Sequence, residues 1–103
     1  MALSPCTVPA AGKAGFELGT DELELGLGIH GEPGVRRARM MPVDQLVDQI
    51  VDRIVTDRGL VARDRVALLA NNLGGTPGME MAIVFRRAMR RLAEKGIVVE
   101  RGW

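Results

Sequence analysis

The sequence has very few of the residues on which most metal and catalytic sites depend. Among its 103 residues there are one cysteine, one histidine and no tyrosine, and aromatic residues make up 3%. A single cysteine excludes an internal disulfide and favours a reducing compartment. One histidine and one cysteine are also too few for a zinc site, so we expect no bound metal. With so few aromatic rings, the core must be aliphatic.

Neither sign of charge dominates. The chain has fourteen Lys and Arg residues and thirteen Asp and Glu residues, which gives a formal net charge of +1. We therefore expect neither nucleic acid nor a membrane surface as a partner. The N-terminus lacks the basic and apolar regions of a signal peptide, and no apolar run approaches the roughly 18 residues that cross a bilayer. We therefore predict a cytoplasmic protein. A chain of this length has room for one domain.

Apolar residues change their spacing along the chain, which separates strands from helices. Residues 16–18 and 23–29 alternate apolar residues with polar residues or glycine, a period of two that predicts two strands. From Pro42 the spacing becomes three and four, which predicts an amphipathic helix with the proline in its first turn. Residues 65–71 form a short apolar run, which predicts a strand buried on both faces.

A second helix is predicted over residues 78–95, with Gly96 as a left-handed C-terminal cap and a last strand at 97–100. Its inward residues are expected to be Ala82, Phe85, Met89 and Leu92. The order β-β-α-β-α-β predicts an α/β fold of two layers with a mixed sheet, in a single domain over residues 1–103.

Charged residues concentrate on three short stretches. The arginines at 36–39 and 86–91 are predicted to form solvated faces whose long side chains cover apolar surface. Asp44, Asp48 and Asp52 share the polar side of the first helix. They fit the polar stripe of a surface helix better than a carboxylate site for magnesium.

Gly26, Gly28 and Gly31 match the glycine spacing of dinucleotide-binding loops. That fingerprint needs the glycines to open a helix, whose N-terminus meets the pyrophosphate. Here Glu32, Pro33 and Gly34 follow instead, and the glycines lie within a predicted strand. The pattern therefore does not predict a dinucleotide.

Gly74, Gly75 and Thr76 follow the strand at 65–71 and precede the second helix. Backbone N–H groups in such a loop can hold an anion, and ligands of α/β proteins commonly bind beyond the carboxyl ends of strands. The alternative is a tight connection in which Thr76 caps the helix. Both interpretations remain open from the sequence.

The only histidine, His30, lies between Gly28 and Gly31 and before a rigid exit through residues 32–34. Small neighbours leave room for a ligand to approach the ring. A neutral imidazole can accept a proton, bond to a hydroxyl or attack a carbonyl carbon. A structural histidine at a strand end is the alternative.

Three stretches resemble the substrate-binding subunit of dihydroxyacetone kinase: CTVPAAGK at 6–13, ELELGLGIHGEPGVRR at 22–37 and VALLANNLGGTPGMEMAIVFRRA at 66–88. The resemblance implies that His30 bonds covalently to the carbonyl carbon of dihydroxyacetone and forms a hemiaminal. Gly28, Gly31 and Glu32 would then shape the surroundings of the ring, with loop contacts from Gly74, Gly75 and Thr76. Asn72 stands where many members of the family have glycine.

The resemblance also implies parts that this chain lacks. It covers what looks like most of the C-terminal domain of the family subunit, without the N-terminal substrate-binding domain. No cofactor is expected in the chain, since ATP with magnesium, or a phosphocarrier subunit, would come from a partner domain. We expect the chain to be inactive as a kinase by itself, and an unpaired sheet edge makes a homo-oligomer plausible. A non-catalytic regulatory module or a truncated remnant are the alternatives.

Overall fold

The structure is a computed structural model that describes residues 1–2, 17–28 and 32–103. The chain divides into two compact units, Met1–Met41 and Pro42–Trp103. Each unit is described by itself below. The predictions on Cys6 and Phe16 lie outside the described residues.

The N-terminal unit is built on one antiparallel pair of strands, β1 (Glu22–Leu25) and β2 (Arg36–Arg39). Ala2 adds a bridge on the free side of β1, where it exchanges backbone hydrogen bonds of 2.8 and 2.9 Å with Glu24. Leu23 and Leu25 are buried together with Ala2. These three residues are the buried apolar ones that the structure describes in this unit.

Strand β1 is shorter than the strand predicted over residues 23–29. The strand ends at Leu25. The next residue is Gly26, whose φ of +79° belongs to the left-handed region that favours glycine. A Cβ at Gly26 would lie 2.6 Å from a methyl carbon of Val35, so the turn also needs the missing side chain. The prediction of a strand at 16–18 is not supported, because residues 17–19 have no strand structure.

Strand β2 was not predicted, because the arginines at 36–39 were interpreted as a solvated face. In the register of the pair, Glu22 lies opposite Arg39 and Glu24 opposite Arg37. Opposite charges on facing residues stabilise antiparallel strands. The matching patterns ELEL and RRAR were therefore a signal for a hairpin around the glycine-rich loop.

The C-terminal unit contains both predicted helices, α1 (Val43–Arg58) and α2 (Gly78–Glu94). Strand β3 (Arg65–Leu68) runs parallel to β4 (Val98–Gly102), so β3, α2 and β4 form a β-α-β unit. The turn after α2 contains Gly96 with a φ of +73°, which confirms the predicted left-handed glycine. Among the described helices, none is both long and apolar enough to cross a membrane.

The described strands form two separate two-stranded sheets. From α1 onward the predicted order of elements agrees with the structure, whereas the predicted strand at 16–18 is not found and β2 was not predicted. The single mixed sheet is not observed, because β1 pairs with β2 and β3 pairs with β4. What holds is a small α/β architecture with two helices.

The core of the C-terminal unit is aliphatic, as the lack of aromatic residues predicted. Its buried members come from both helices and the residue before β4: Val47, Val51, Val55, Ala88, Leu92 and Ile97. Two expectations about burial were wrong. Ala82 is exposed rather than inward, and β3 is not buried on both faces, since Arg65 and Ala67 are exposed. Only Val66 and Leu68 of β3 pack against the core.

Arginines of α2 pair with the aspartates of α1. Arg87 donates two hydrogen bonds of 2.7 Å to Asp48, and Arg91 donates two of 2.9 and 2.8 Å to Asp52. These bonds lower the pKa of Asp48, and lower that of Asp52 to about 2. The prediction of a solvated arginine face was therefore wrong for Arg87 and Arg91, which join the two helices through bidentate pairs.

Candidate functional site

The connection between β1 and β2 contains the histidine motif. The structure describes residues 26–28 and 32–35 of it, whereas His30 and Gly31 lie outside the described residues. The roles inferred for these two residues therefore stay predictions. The geometry of the flanking residues shows what supports the motif.

Two backbone hydrogen bonds tie the ends of this connection. The N–H of Val35 donates to the carbonyl of Leu25 at 2.7 Å, which continues the strand pairing by one step. Further along, the N–H of Gly28 donates to the carbonyl of Glu32 at 3.2 Å. The described residues on either side of 29–31 are thus joined directly to each other.

The glycines of the motif make room for carboxylate side chains. A Cβ at Gly28 would collide with the carboxylate of Glu32, and a Cβ at Gly34 would lie 2.6 Å from Oε1 of Glu24. Real Cβ atoms do not approach other atoms so closely, so neither glycine can be replaced without movement. In the described residues, the space beside Gly28 is occupied by the side chain of Glu32, and the role of Gly28 in ligand binding stays a prediction.

Glu24 is the residue of this site that the sequence analysis missed. Only 8% of it is exposed, and its Oε1 accepts a hydrogen bond of 3.0 Å from the N–H of Gly34. Its Oε2 lies 3.5 Å from Nε of Arg37 and has no hydrogen-bond partner in the described structure. A buried glutamate is rare unless it is paired. Its place in an apolar alternation, between Leu23 and Leu25, made it look like an ordinary solvent-facing residue.

The loop before α2 forms a tight turn of its own. Leu73 and Gly74 have φ values of +49° and +81°. The side chain of Asn71 accepts a hydrogen bond of 2.8 Å from the N–H of Leu73, and that of Asn72 accepts one of the same length from Gly74. The N–H of Gly75 donates to the carbonyl of Asn72 at 3.0 Å.

These bonds bear on both interpretations of the loop. The interpretation of Thr76 as a cap was wrong, since α2 begins after Pro77 with no side-chain cap. The N–H groups of Gly74 and Gly75 already donate within the loop, so an anion would have to compete with Asn72. A role of Gly74, Gly75 and Thr76 in ligand contact stays a prediction. Asn71 and Asn72 supply the side-chain hydrogen bonds that fix the turn.

The C-terminal unit also has an open apolar depression of about 250 Å³. It is lined by Ala70, Gly78, Met81, Ala82, Phe85 and Trp103. None of these side chains can take up or release a proton near neutral pH, so the depression offers no acid-base chemistry. Within the described parts of the chain, no three His, Cys, Asp or Glu side chains are grouped as metal ligands would be.

The profile of the Dak1 domain family matches residues 1–103. The chain therefore belongs to the Dak1 domain family, and the resemblance to dihydroxyacetone kinase subunits is confirmed.

The relatives include a dihydroxyacetone-binding kinase subunit and a triokinase/FMN cyclase. The chain is 48% identical over 101 residues to the dihydroxyacetone-binding subunit DhaK of PTS-dependent dihydroxyacetone kinase 1 from Listeria innocua. The matched region is 98% of this chain and 31% of that protein. The chain is 45% identical over 107 residues to triokinase/FMN cyclase from Rattus norvegicus, of which it covers 18%. The chain thus spans about a third or less of the length of these relatives.

Two solved structures are also similar. A chain titled "Dihydroxyacetone kinase operon co-activator Dha-DhaQ" matches 98% of this chain with a TM-score of 0.81 and 31% identity, over 31% of its own length. A second, titled for regulation of the dha operon of Lactococcus lactis, matches 81% of this chain with a TM-score of 0.71 and 30% identity, over 26% of its own length. Both solved structures thus carry regulatory titles, whereas the first relative above is named for binding dihydroxyacetone.

Proposed function

We propose that this chain is the part of a Dak1-domain protein that binds dihydroxyacetone, and that His30 is its covalent anchor. The observation that carries the proposal is the motif itself: the string GIHGEPG lies in a connection whose flanking residues Gly28 and Glu32 are hydrogen-bonded to each other. In this proposal Gly31 and Glu32 shape the surroundings of the ring together with Gly28. The chain corresponds to the C-terminal domain of a dihydroxyacetone-binding subunit, in the cytoplasm.

The proposed step is an addition to the carbonyl group. The unprotonated ring nitrogen of His30 donates its lone pair to the carbonyl carbon of dihydroxyacetone, and a nitrogen–carbon bond forms. The π electrons of the C=O bond move to the oxygen. The other ring nitrogen loses its proton and the oxygen gains one, which leaves a neutral hemiaminal. Nothing is oxidised or reduced, and the adduct can reverse.

This chemistry selects its substrate by an electrophilic carbon. Glycerol has a similar size and number of hydroxyl groups, but it lacks a carbonyl and cannot form the adduct. The covalent bond also holds a hydroxyl of the substrate in one orientation, which favours transfer of a phosphoryl group to it. The donor, ATP with magnesium or a phosphocarrier subunit, would come from a partner domain. We therefore expect no kinase activity from this chain by itself.

The adduct can be observed directly with dihydroxyacetone that is ¹³C-labelled at its carbonyl carbon. Addition of the wild-type chain should convert part of the ketone signal into a signal of a tetrahedral carbon bound to nitrogen. His30→Ala should abolish that signal, while circular dichroism shows that the variant keeps its helices. Labelled glycerol is the negative control. An equally strong adduct signal from His30→Ala would contradict the proposal.

A second function is favoured by the solved structures with regulatory titles, which match the fold at TM-scores of 0.81 and 0.71. In that case the chain is a non-catalytic module that docks on a partner protein. The two functions differ in one measurement. A regulatory module should bind a phosphoryl-transfer subunit equally well with histidine or alanine at position 30, and should form no adduct.

A further inference from the structure

We propose that Glu24 is a positioning residue: at Gly34 it holds the described end of the histidine loop, residues 26–35, for the reaction. The inference rests on the proposed function of His30. It goes further by assigning a role to a buried carboxylate outside the GIHGEPG string.

Burial of Glu24 has a cost that an ordinary surface glutamate does not have. Its side chain is 10% exposed, on a strand where the neighbouring Leu23 and Leu25 are buried as well. A carboxylate that loses water must regain hydrogen bonds or charge partners to offset the desolvation. Glu24 regains one hydrogen bond, from Gly34, and one cation, Arg37 on the facing strand.

The bond to Gly34 connects β1 with the far end of the loop. Gly34 lies ten residues along the chain from Glu24, and its N–H donates to Oε1 at 3.0 Å. A Cβ at Gly34 would approach both the glutamate side chain and, at 2.7 Å, the carbonyl oxygen of Leu25. Glycine at this position therefore lets the loop backbone lie directly on the buried carboxylate.

Glu22 is a natural control on the same strand. Like Glu24, it accepts a hydrogen bond from a glycine N–H, that of Gly19 at 2.9 Å, and it lies within 4.0 Å of Arg37. Its side chain, however, is 45% exposed, and Gly19 precedes β1 instead of belonging to the loop. The two glutamates share their residue type, their strand and the partner Arg37, and differ in burial and in the glycine that they bind.

A fixed loop matters for the proposed reaction because addition to a carbonyl requires the ring nitrogen to approach the carbon along a narrow range of directions. A reactive side chain keeps its position only if hydrogen bonds around it fix the backbone that carries it. Glu24 anchors the end of the loop that follows His30. The two ends of the loop are also joined by the hydrogen bond between Val35 and Leu25, which involves backbone atoms only.

The test compares Glu24→Ala, Glu24→Gln and Glu22→Ala in the full chain. The apparent affinity for ¹³C-labelled dihydroxyacetone should fall about tenfold in Glu24→Ala, the equivalent of one charge-assisted hydrogen bond. Glu24→Gln keeps an oxygen acceptor for Gly34 and should stay within about threefold of wild type. Glu22→Ala should be unchanged. Exchange of the Gly34 amide proton should be slow in wild type and in Glu24→Gln, and fast in Glu24→Ala.

The outcomes separate this inference from the proposed function. If the wild-type chain forms no adduct but Gly34 exchanges faster in Glu24→Ala, the function of His30 fails and the hold of Glu24 on the loop stands. The inference is overturned if Gly34 exchanges equally fast in wild type and Glu24→Ala. It is also overturned if Glu24→Gln binds as weakly as Glu24→Ala, or if Glu22→Ala weakens binding as much as Glu24→Ala does.

Discussion

Different kinds of interaction stabilise the inside of each unit, the N-terminal unit Met1–Met41 and the C-terminal unit Pro42–Trp103. The C-terminal unit packs two amphipathic helices around six buried aliphatic residues and joins them with arginine–aspartate pairs. Among its described residues, the N-terminal unit buries the apolar side chains of Ala2, Leu23 and Leu25, and it also buries the carboxylate of Glu24. Its loop is tied by backbone N–H groups, with glycines where side chains would collide.

The aliphatic core of the C-terminal unit bears on the stability of the fold, whereas the histidine loop of the N-terminal unit bears on the proposed chemistry. Burial of aliphatic side chains contributes most of the free energy of folding in a small protein, and the C-terminal unit contains a cluster of six such side chains. A buried glutamate and close-packed glycines contribute little of that kind. They define instead the backbone of the described residues on either side of residues 29–31.

The largest expected effect is on the core of the C-terminal unit. Leu92 is 6% exposed within the aliphatic cluster, so Leu92→Ala should lower the free energy of unfolding by about 2–5 kcal/mol. Chemical denaturation followed by circular dichroism measures this change. Leu69→Ala is the matched control, because Leu69 is 70% exposed and its truncation should cost less than about 0.5 kcal/mol. Similar losses in both variants would contradict the assignment of the core.

A smaller and more local effect is expected from the histidine loop. Gly34→Ala places a Cβ against Glu24 and the carbonyl of Leu25, which should cost about 1–3 kcal/mol. Amide exchange should show the loss in β1 and β2, while the helices α1 and α2 keep their protection. Gly75→Ala is the control, since its Cβ would meet nothing closer than 3.8 Å. Uniform loss of protection over both units would remove the contrast between them.

The smallest effect concerns pH and the helix pairs. Hydrogen bonds from Arg91 and, to a smaller extent, from Lys95 lower the pKa of Asp52 from 3.8 to about 2. A lowered folded-state pKa means that this pair stabilises the protein above about pH 4, and that the stability is lost as the pH falls toward 2. Because the Asp52 side chain is 39% exposed, solvent screening limits the loss to about 1 kcal/mol or less.

Asp52→Asn should therefore be less stable than wild type at neutral pH and closer to it near pH 2. Thermal unfolding at a series of pH values measures the difference. Asp57→Asn serves as the control, because Asp57 pairs with Arg53 on the same helix and its side chain is 56% exposed. If both variants show the same pH dependence, the pair between Asp52 and Arg91 does not stabilise the contact between the helices.

Prediction from the sequence succeeded where one repeating pattern dominates. The three- and four-residue spacing from Pro42 placed α1 correctly, and the left-handed turn at Gly96 ended α2 where expected. It failed where partners distant in sequence decide the outcome. Strand β2 has almost no apolar pattern and forms because its arginines face the glutamates of β1. Likewise, the alternation around Glu24 does not reveal that a loop covers that face of the strand.

The amino-acid sequence by itself determined the two helices, the aliphatic nature of the core and the GIHGEPG motif, because these depend on local spacing and on the identity of neighbouring residues. Only the tertiary structure decided that the strands pair as two separate sheets, that Arg87 and Arg91 bind aspartates of α1, and that Glu24 is buried under Gly34. The physical reason is that strand pairing and burial depend on which segments, distant in sequence, come into contact. The same charged residue is solvated or buried according to whether another segment covers its side chain.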